Sequence, residues 1–373
     1  MKKVLLVTHV VKHHLIPFHI PYIKWFKQNG YETYVCARND YENKDDCRIP
    51  YCDHYYDLPF KRFPVSMNNL YAYKKLKQVI NKNQFDIIHC HTPVGGVLTR
   101  LAARKSRING TKVIYTAHGF HFFKGAPLLN WLIYYPIEKI CSHFTDVLIT
   151  INQEDYSLAK NKMKAQKLLY IQGVGIDTQK IFNILVEKKQ TRHELGISEK
   201  SIMLLSVGEL NRNKNHELIF RSLAKLNNSD VHYFIAGVGD LATNLNKLAK
   251  SLNITENIHI LGYRTDIPQL LMASDIFVFP SRREGLSVAL MEAMLCGLPV
   301  VCSEIRGNSD LIHNAKGGFL IKVNNPEEYA NKLNILLQDR ELCRSFGEYN
   351  KAFVNQFTIE NVMREIEKLY CSL

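Results

Sequence analysis

The segment DIFVFPSRREGLSVALMEAMLCGLPVVCS (275–303) decides the fold. Its ends, DIFVFP and PVVCS, are short apolar runs that read as buried strands. Pro280 ends the first strand, and Gly285 disfavours a helix beginning at Glu284. Residues 281–286 therefore read as a loop, with Ser287 near the N-cap of a helix that runs to Cys296 before the turn GLP. Strand, loop, helix and strand in that order is the repeating element of a parallel sheet.

The same alternation extends outward in both directions. KVLLVTH, TYVCA, FDIIHC, KVIYTAH and DVLITI read as strands in the first half, with helices near 17–29, 68–82, 94–107, 128–143 and 153–164. IMLLSVG, HYFIAGVG, IHILG, DIFVFP and PVVCS repeat the pattern in the second half. Continuous apolar strands separated by helices predict α/β architecture: two Rossmann-like, doubly wound parallel sheets, each covered on both faces. The first domain is expected over 1–175, with a C-terminal helix at 357–373 packing back on it, and the second over 176–356. The loop GVGIDTQKIFN (173–183) is the expected hinge. Two such sheets facing each other would hold a ligand in a central cleft, at their strand C-termini.

Composition fits a soluble globular protein, with 46% hydrophobic and 22% charged residues. No apolar run reaches the roughly 18–20 residues that span a bilayer, and MKKVLLVTHVVKHH lacks a signal-peptide cleavage pattern. Nine scattered cysteines without a Cys-x-x-Cys pair predict reduced thiols in a cytoplasmic protein. The net charge of +13 is one-sided: residues 1–180 hold 26 Lys+Arg against 13 Asp+Glu, and residues 181–373 hold 22 against 22. Ten of the fifteen histidines also lie in the first half. A basic first domain suggests an anionic partner there: a lipid surface, a lipid-linked phosphate or a nucleic acid.

Around Glu284 and Glu292 the sequence suggests a site. The N–H groups near Leu286, Ser287 and Val288 open a helix and favour an anion. Glu292, in the second helical turn, suits two vicinal hydroxyls such as a ribose offers, while Glu284 lies nearer a reacting group. On spacing alone, two solvated glutamates at a helix end remain an equal reading.

The wider pattern shifts that balance. The segment 275–312, with SVGELNRNKNHELI and LGYRTDIPQLL, resembles the retaining glycosyltransferases of family 4, which have the GT-B fold. LIPFHIPYIKWFKQNGYETYV through YTAHGFHFFKGAP resembles the subgroup that builds capsule, exopolysaccharide and other lipid-linked glycans. The resemblance covers nearly the whole chain. It implies that Glu292 holds the ribose, that Glu284 holds the donor sugar, and that the backbone of Gly285, Leu286, Ser287 and Val288 holds sugar and diphosphate. It further implies that Lys214 neutralises the diphosphate, that Tyr263 and Arg264 flank the base, and that His118 sits beside the transferred sugar. The resemblance also matches Gly208, as a donor-binding residue, to the glycine of the family's VGRL. The arginine expected after it is Glu209 here, leaving Arg212 and Arg283 as substitutes.

Chemically, a departing nucleoside diphosphate develops negative charge that lysine, arginine and helix-end amides stabilise. No Asp-x-Asp and no His/Cys/carboxylate cluster with ligand spacing is present, so neither a metal nor another cofactor is expected. Gly237-x-Gly239-x-x-Ala242 is a partial dinucleotide fingerprint, read here as a tight strand-to-helix turn. His216, His232 and His259 read as packing or surface residues, whereas two of His13, His14, His19, His118 and His121 are expected to line the cleft. LPFKRFPVSMNNLYAYKKLKQVINK (58–82) and APLLNWLIYYPIEKI (126–140) mix basic and aromatic residues, as an interfacial membrane contact requires. Ordinary core is the even alternative for Leu128, Leu129, Leu132 and Ile133.

The expectation is a hexosyltransferase that is metal-independent, retaining and peripheral on the inner face of the cell membrane. It would move a sugar, N-acetylhexosamine or hexose, from a UDP-sugar to a polyprenyl-diphosphate-linked acceptor. Its partners would include an anionic membrane surface and no nucleic acid. A UDP-sugar epimerase of the same fold and a basic nucleic-acid-binding protein are the alternatives.

Overall fold

The computed structural model describes residues 1–64, 66–182, 188–322 and 324–373. Val65 of the 58–82 segment and Asn183 of the expected hinge lie outside the described residues. The chain separates into two units, Met1–Gly175 with Ile359–Leu373 and Ile176–Thr358.

The first unit is a seven-stranded sheet of β1 (Lys3–Val10), β2 (Glu32–Arg38), β3 (His54–Asp57), β4 (Ile87–His91), β5 (Lys112–Ala117), β6 (Val147–Thr150) and β7 (Lys167–Tyr170). All neighbours are parallel, in the order β3-β2-β1-β4-β5-β6-β7. Strand side chains alternate, so a strand covered on both faces must be apolar at successive positions. In β1, Leu5 and Val7 face a core completed by Leu76 and Ile80 of the helix Met67–Asn83. Val4 and Leu6 face the opposite core, with Ile23 and Phe26 of the helix Ile16–Gln28. That second core also takes Val362, Ile366 and Leu369 from the helix Ile359–Cys371. Tyr370 of this helix packs on Phe26 at 4.3 Å, and its hydroxyl bonds His89 Nδ1 at 2.7 Å.

The second unit is a six-stranded parallel sheet of β8 (Ile202–Val207), β9 (Val231–Ala236), β10 (Ile258–Gly262), β11 (Ile276–Phe279), β12 (Val300–Ser303) and β13 (Gly318–Ile321). Their order is β10-β9-β8-β11-β12-β13. The chain therefore winds one way from β8 and reverses at β11, as it winds from β1 and reverses at β4 in the first sheet. Such reversals part the loops at the strand C-termini and leave a crevice for ligands.

Three edge strands, β3, β7 and β13, lie outside the sequence reading. The helix expected over 94–107 is two, Pro93–Ala102 and Arg104–Ile108. All nine cysteines are free.

Candidate active site

The reversal point of the second sheet carries the segment that opened the sequence reading. β11 ends at Phe279, and the helix Val288–Leu295 begins after Ser287, whose hydroxyl accepts from Leu290 N–H at 3.4 Å. The first amides of a helix have no carbonyl one turn back, so those of Val288 and Ala289 stay available to an anion, with the positive end of the dipole behind them.

Asparagines lace the loop after β8 to the loop after β11. Asn213 O accepts from Arg282 N–H at 2.8 Å, and Asn213 Nδ2 donates to Arg283 O at 2.9 Å. Asn215 Nδ2 donates to Pro280 O at 3.2 Å, and Asn215 Oδ1 accepts from Arg282 Nη2 at 3.1 Å. Asn211 Oδ1 accepts from the N–H groups of both Asn213 and Lys214, tightening the turn that presents the lysine. Lys214 Nζ then meets Glu284 Oε1 at 2.8 Å and lies 4.6 Å from the Phe279 ring centre. Residues 70 apart in sequence thus form one charged pair, mostly shielded from solvent.

Glycines permit this closeness. Gly208 has φ +154°, and a Cβ there would come within 2.8 Å of Lys214 Cε. At Gly237 a Cβ would sit 1.9 Å from Gly208 O. The glycines of the partial dinucleotide fingerprint therefore allow neighbouring loops to touch, as the tight-turn reading expects.

Glu292 projects from the second turn of the helix and is half-buried. Burial lifts its pKa to about 7, and Lys180 pulls weakly in the other direction. Tyr263 and Arg264 follow β10, two strands from β8. Tyr263 is 79% exposed, and Arg264 makes two hydrogen bonds to the Asp266 carboxylate, the first at 2.7 Å. Arg212 and Arg283 are both exposed. Arg212 lines a polar pocket of about 460 Å³ together with Arg282, Asn215 and His216. Glu209 accepts from Asn211 Nδ2 at 2.8 Å. His216 is buried against Tyr233, and His259 stacks on Phe234, so both pack as the sequence suggested.

His118 belongs to the first unit, directly after β5. His14 and His19 lie beside it, with ring centres 5.3 and 5.5 Å from its own. His13 instead pairs with Asp40 at 2.6 Å, and His121 packs on Tyr134. The reversal strand β4 adds His91, whose Nδ1 lies 3.2 Å from His118 Nε2. The sequence singled out neither His89 nor His91, although HCH at the end of an apolar strand marks them. Burial lowers His14 to about 3 and His118 to about 4, and neighbouring histidines push in the same direction. Both shifts favour the neutral ring. Nitrogen atoms of His14, His19 and His118 lie within 4.8 Å of one another. The residues come from separate elements, which no spacing along the chain reveals.

The first unit also carries an apolar surface. Leu128, Leu129 and Leu132 of the helix Leu128–Ser142 are each more than 60% exposed, and Ile133, Ile137 and Ile140 are exposed beside them. Core packing is therefore not their role. Phe63, Met67, Leu70 and Tyr71 are exposed in the 58–82 segment. Both surfaces border one apolar pocket of about 80 Å³, where Pro64 meets Val97, Tyr134 and Ile137. A buried ion pair anchors this helix: Arg100 Nη2 donates to Glu138 Oε2 at 2.8 Å, with Tyr115 OH on the other carboxylate oxygen at 3.3 Å. Among the described residues no helix is long and apolar enough to cross a membrane.

Comparison with known proteins places this architecture. Residues 3–152 match the family model described as glycosyl transferase 4-like, and residues 187–353 match glycosyl transferases group 1. EpsD of Bacillus subtilis (strain 168), named as a glycosyltransferase, is 38% identical over 99% of this chain and 97% of its own. The UDP-Gal:alpha-D-GlcNAc-diphosphoundecaprenol alpha-1,3-galactosyltransferase of Escherichia coli is 30% identical over 83% of both chains. Among solved structures, Anabaena Alr3699/HepE in complex with UDP superposes with a TM-score of 0.81, at 20% identity over 100% of both chains. The chain belongs to the family 4-type glycosyltransferases, with a glycosyl transferase 4-like domain followed by a group 1 domain in a GT-B fold.

Proposed function

We propose that this glycosyltransferase moves a sugar from a UDP-sugar to a polyprenyl-diphosphate-linked saccharide, with retention of anomeric configuration, in the synthesis of an exopolysaccharide or capsule. The observation that carries the donor half is the Lys214–Glu284 pair beside the start of the helix Val288–Leu295, with Glu292 one turn further on. A diphosphate arriving at those amides would compete with Glu284 for Lys214, leaving the carboxylate to accept from sugar hydroxyls. Negative charge developing on the leaving diphosphate would be met by the ammonium and the helix amides. Glu292 would take the ribose hydroxyls, and His118 would stand beside the transferred sugar. No divalent metal is assigned to this step. Arg212 or Arg283 would supply the cation that Glu209 displaces.

For the acceptor, the support is the exposed apolar row Leu128, Leu129, Leu132 and Ile140 in a unit that also carries the basic residues Lys61, Arg62, Lys74 and Lys75. That combination suits an anionic leaflet at the cytoplasmic membrane face, where a polyprenyl-linked substrate is confined. The E. coli relative named above acts, by its name, on a diphosphoundecaprenol-linked sugar, which agrees with this reading. The test is a panel of UDP-sugars offered to the full-length protein with synthetic polyprenyl-diphosphate saccharides in vesicles. Sugar appearing on the lipid supports the proposal. Conversion of a UDP-sugar to its epimer in the absence of acceptor would replace it with an epimerase.

A further inference from the structure

We propose that His14, His19 and His118 form a binding site for a divalent transition metal of the zinc class, at the reversal point of the first sheet. The three side chains arrive from three directions. His14 lies in a five-residue π-helix, Val11–Leu15, a rare conformation that recurs at functional sites. His19 lies in the helix Ile16–Gln28, and His118 follows β5. One nitrogen from each lies within 4.8 Å of the others. Zinc bonds of about 2.0–2.1 Å in a tetrahedron set donors about 3.4 Å apart, so binding would draw the three nitrogens closer together.

The independent observation is His19. It is completely buried, yet among the described residues neither of its ring nitrogens has a hydrogen-bond partner. His14 Nδ1 and His91 Nε2 are likewise buried without one. A buried imidazole normally bonds through at least one nitrogen, and a neutral His19 with neither nitrogen partnered leaves its one lone pair open to a ligand in this cluster. His89 supplies the contrast: its nitrogens bond Tyr370 and Thr116 at 2.7 and 2.8 Å, so it is spent as packing. His91 stacks on His19 with ring centres 3.9 Å apart and bonds His118, the orienting contact a metal-bound histidine needs. Imidazole donors without thiolate or carboxylate favour zinc, nickel or copper over magnesium or calcium. His14 and His118 are each only half-buried, which gives an ion a way in.

The proposed partners of a donor diphosphate are Lys214 and the 288–289 amides, not these histidines, so the metal is proposed here as a bound ion and not as the diphosphate's counter-ion. Metal binding here and transfer in EDTA are therefore separate measurements, and either can fail alone. The test titrates chelator-stripped, full-length protein with Co2+ and then with Zn2+. A single Co2+ should give the visible bands of low-coordinate nitrogen ligation, be displaced by Zn2+, and raise the melting temperature. His19→Phe, which keeps a ring against His91, and His14→Gln should each weaken binding by about tenfold or more. His13→Gln and His54→Gln, at exposed positions, should bind as the parent does. If His19→Phe does not fold, the half-buried His14→Gln carries the test by itself. Absence of bands in the parent protein overturns the site, and so does equal Co2+ affinity in the His14 and His13 variants, which would mean binding by surface histidines.

Discussion

Glu292→Gln separates the cost of a buried carboxyl from its use. Burial lifts the Glu292 pKa from 4.5 to about 7, against the weak pull of Lys180. The unfolded chain therefore ionises at lower pH than the folded one. The stability of the neutral form is fully present below pH 4.5 and is lost as pH rises towards about 7, with no further change above. At 1.36 kcal/mol per pK unit the whole rise is worth about 3 kcal/mol. The side chain is half-buried, so about 1–3 kcal/mol is the expected share. Glutamine keeps the shape and removes the titration. Glu292→Gln should melt several degrees higher than the parent near pH 8, taking about 2–4 °C per kcal/mol for a unit of this size, and at the same temperature near pH 4.5. Its affinity for UDP should move the opposite way. Ribose hydroxyls donate to an ionised carboxylate, and the variant should bind UDP about 1–3 kcal/mol more weakly near pH 8. The parent's affinity should also fall more steeply than the variant's as pH drops below about 7, because binding must then displace a proton. Scanning calorimetry and titration calorimetry at both pH values measure the two effects. Equal melting temperatures at pH 8, together with unchanged UDP affinity, would refute the reasoning.

Other substitutions probe separate parts of the molecule. Lys214→Ala should lower turnover by roughly ten- to a thousand-fold, the range for losing one transition-state charge partner, in a steady-state transfer assay. That assay should proceed in excess EDTA, and restoration only by magnesium or manganese would count against the metal-free step. Replacing Lys61, Arg62, Lys74 and Lys75 together by glutamate should abolish sedimentation with anionic vesicles and leave UDP affinity unchanged, since each basic residue near the leaflet is worth about 1 kcal/mol. Arg100→Met strands Glu138 in an apolar setting and should cost about 3–5 kcal/mol in chemical denaturation, whereas Arg100→Met with Glu138→Leu should recover most of that loss.

The sequence made the interior of both sheets legible and their margins less so. Strands such as β1 and β8 announce themselves because burial on both faces demands an unbroken apolar run. HYYD of β3 and KLLY of β7 lie at sheet edges, where one flank meets solvent and the run is short and mixed. The site divides in the same way. Ser287, Gly285 and Pro280 act through local backbone chemistry, so the loop and helix start could be read from neighbouring residues. Resemblance gave Lys214 and Glu284 separate roles, but their contact, which rests on β8 lying next to β11, appears only in the structure. The histidine cluster draws on four elements, and its fully buried members are polar residues inside apolar runs. No periodicity distinguishes such a residue from one that merely packs.

The return of Ile359–Cys371 to the first sheet bears on the order of events during synthesis. This helix supplies Val362, Ile366, Leu369 and Tyr370 to one face of that sheet, and Tyr370 satisfies His89. The ribosome makes it only after the whole of Ile176–Thr358 has been translated. Domains generally fold as they emerge, at about 5–20 residues per second. Here the second unit can finish while the first still lacks one wall of its core. For that interval Ile23 and Phe26 are without their final cover, so the portion of the chain made first is the last to become native.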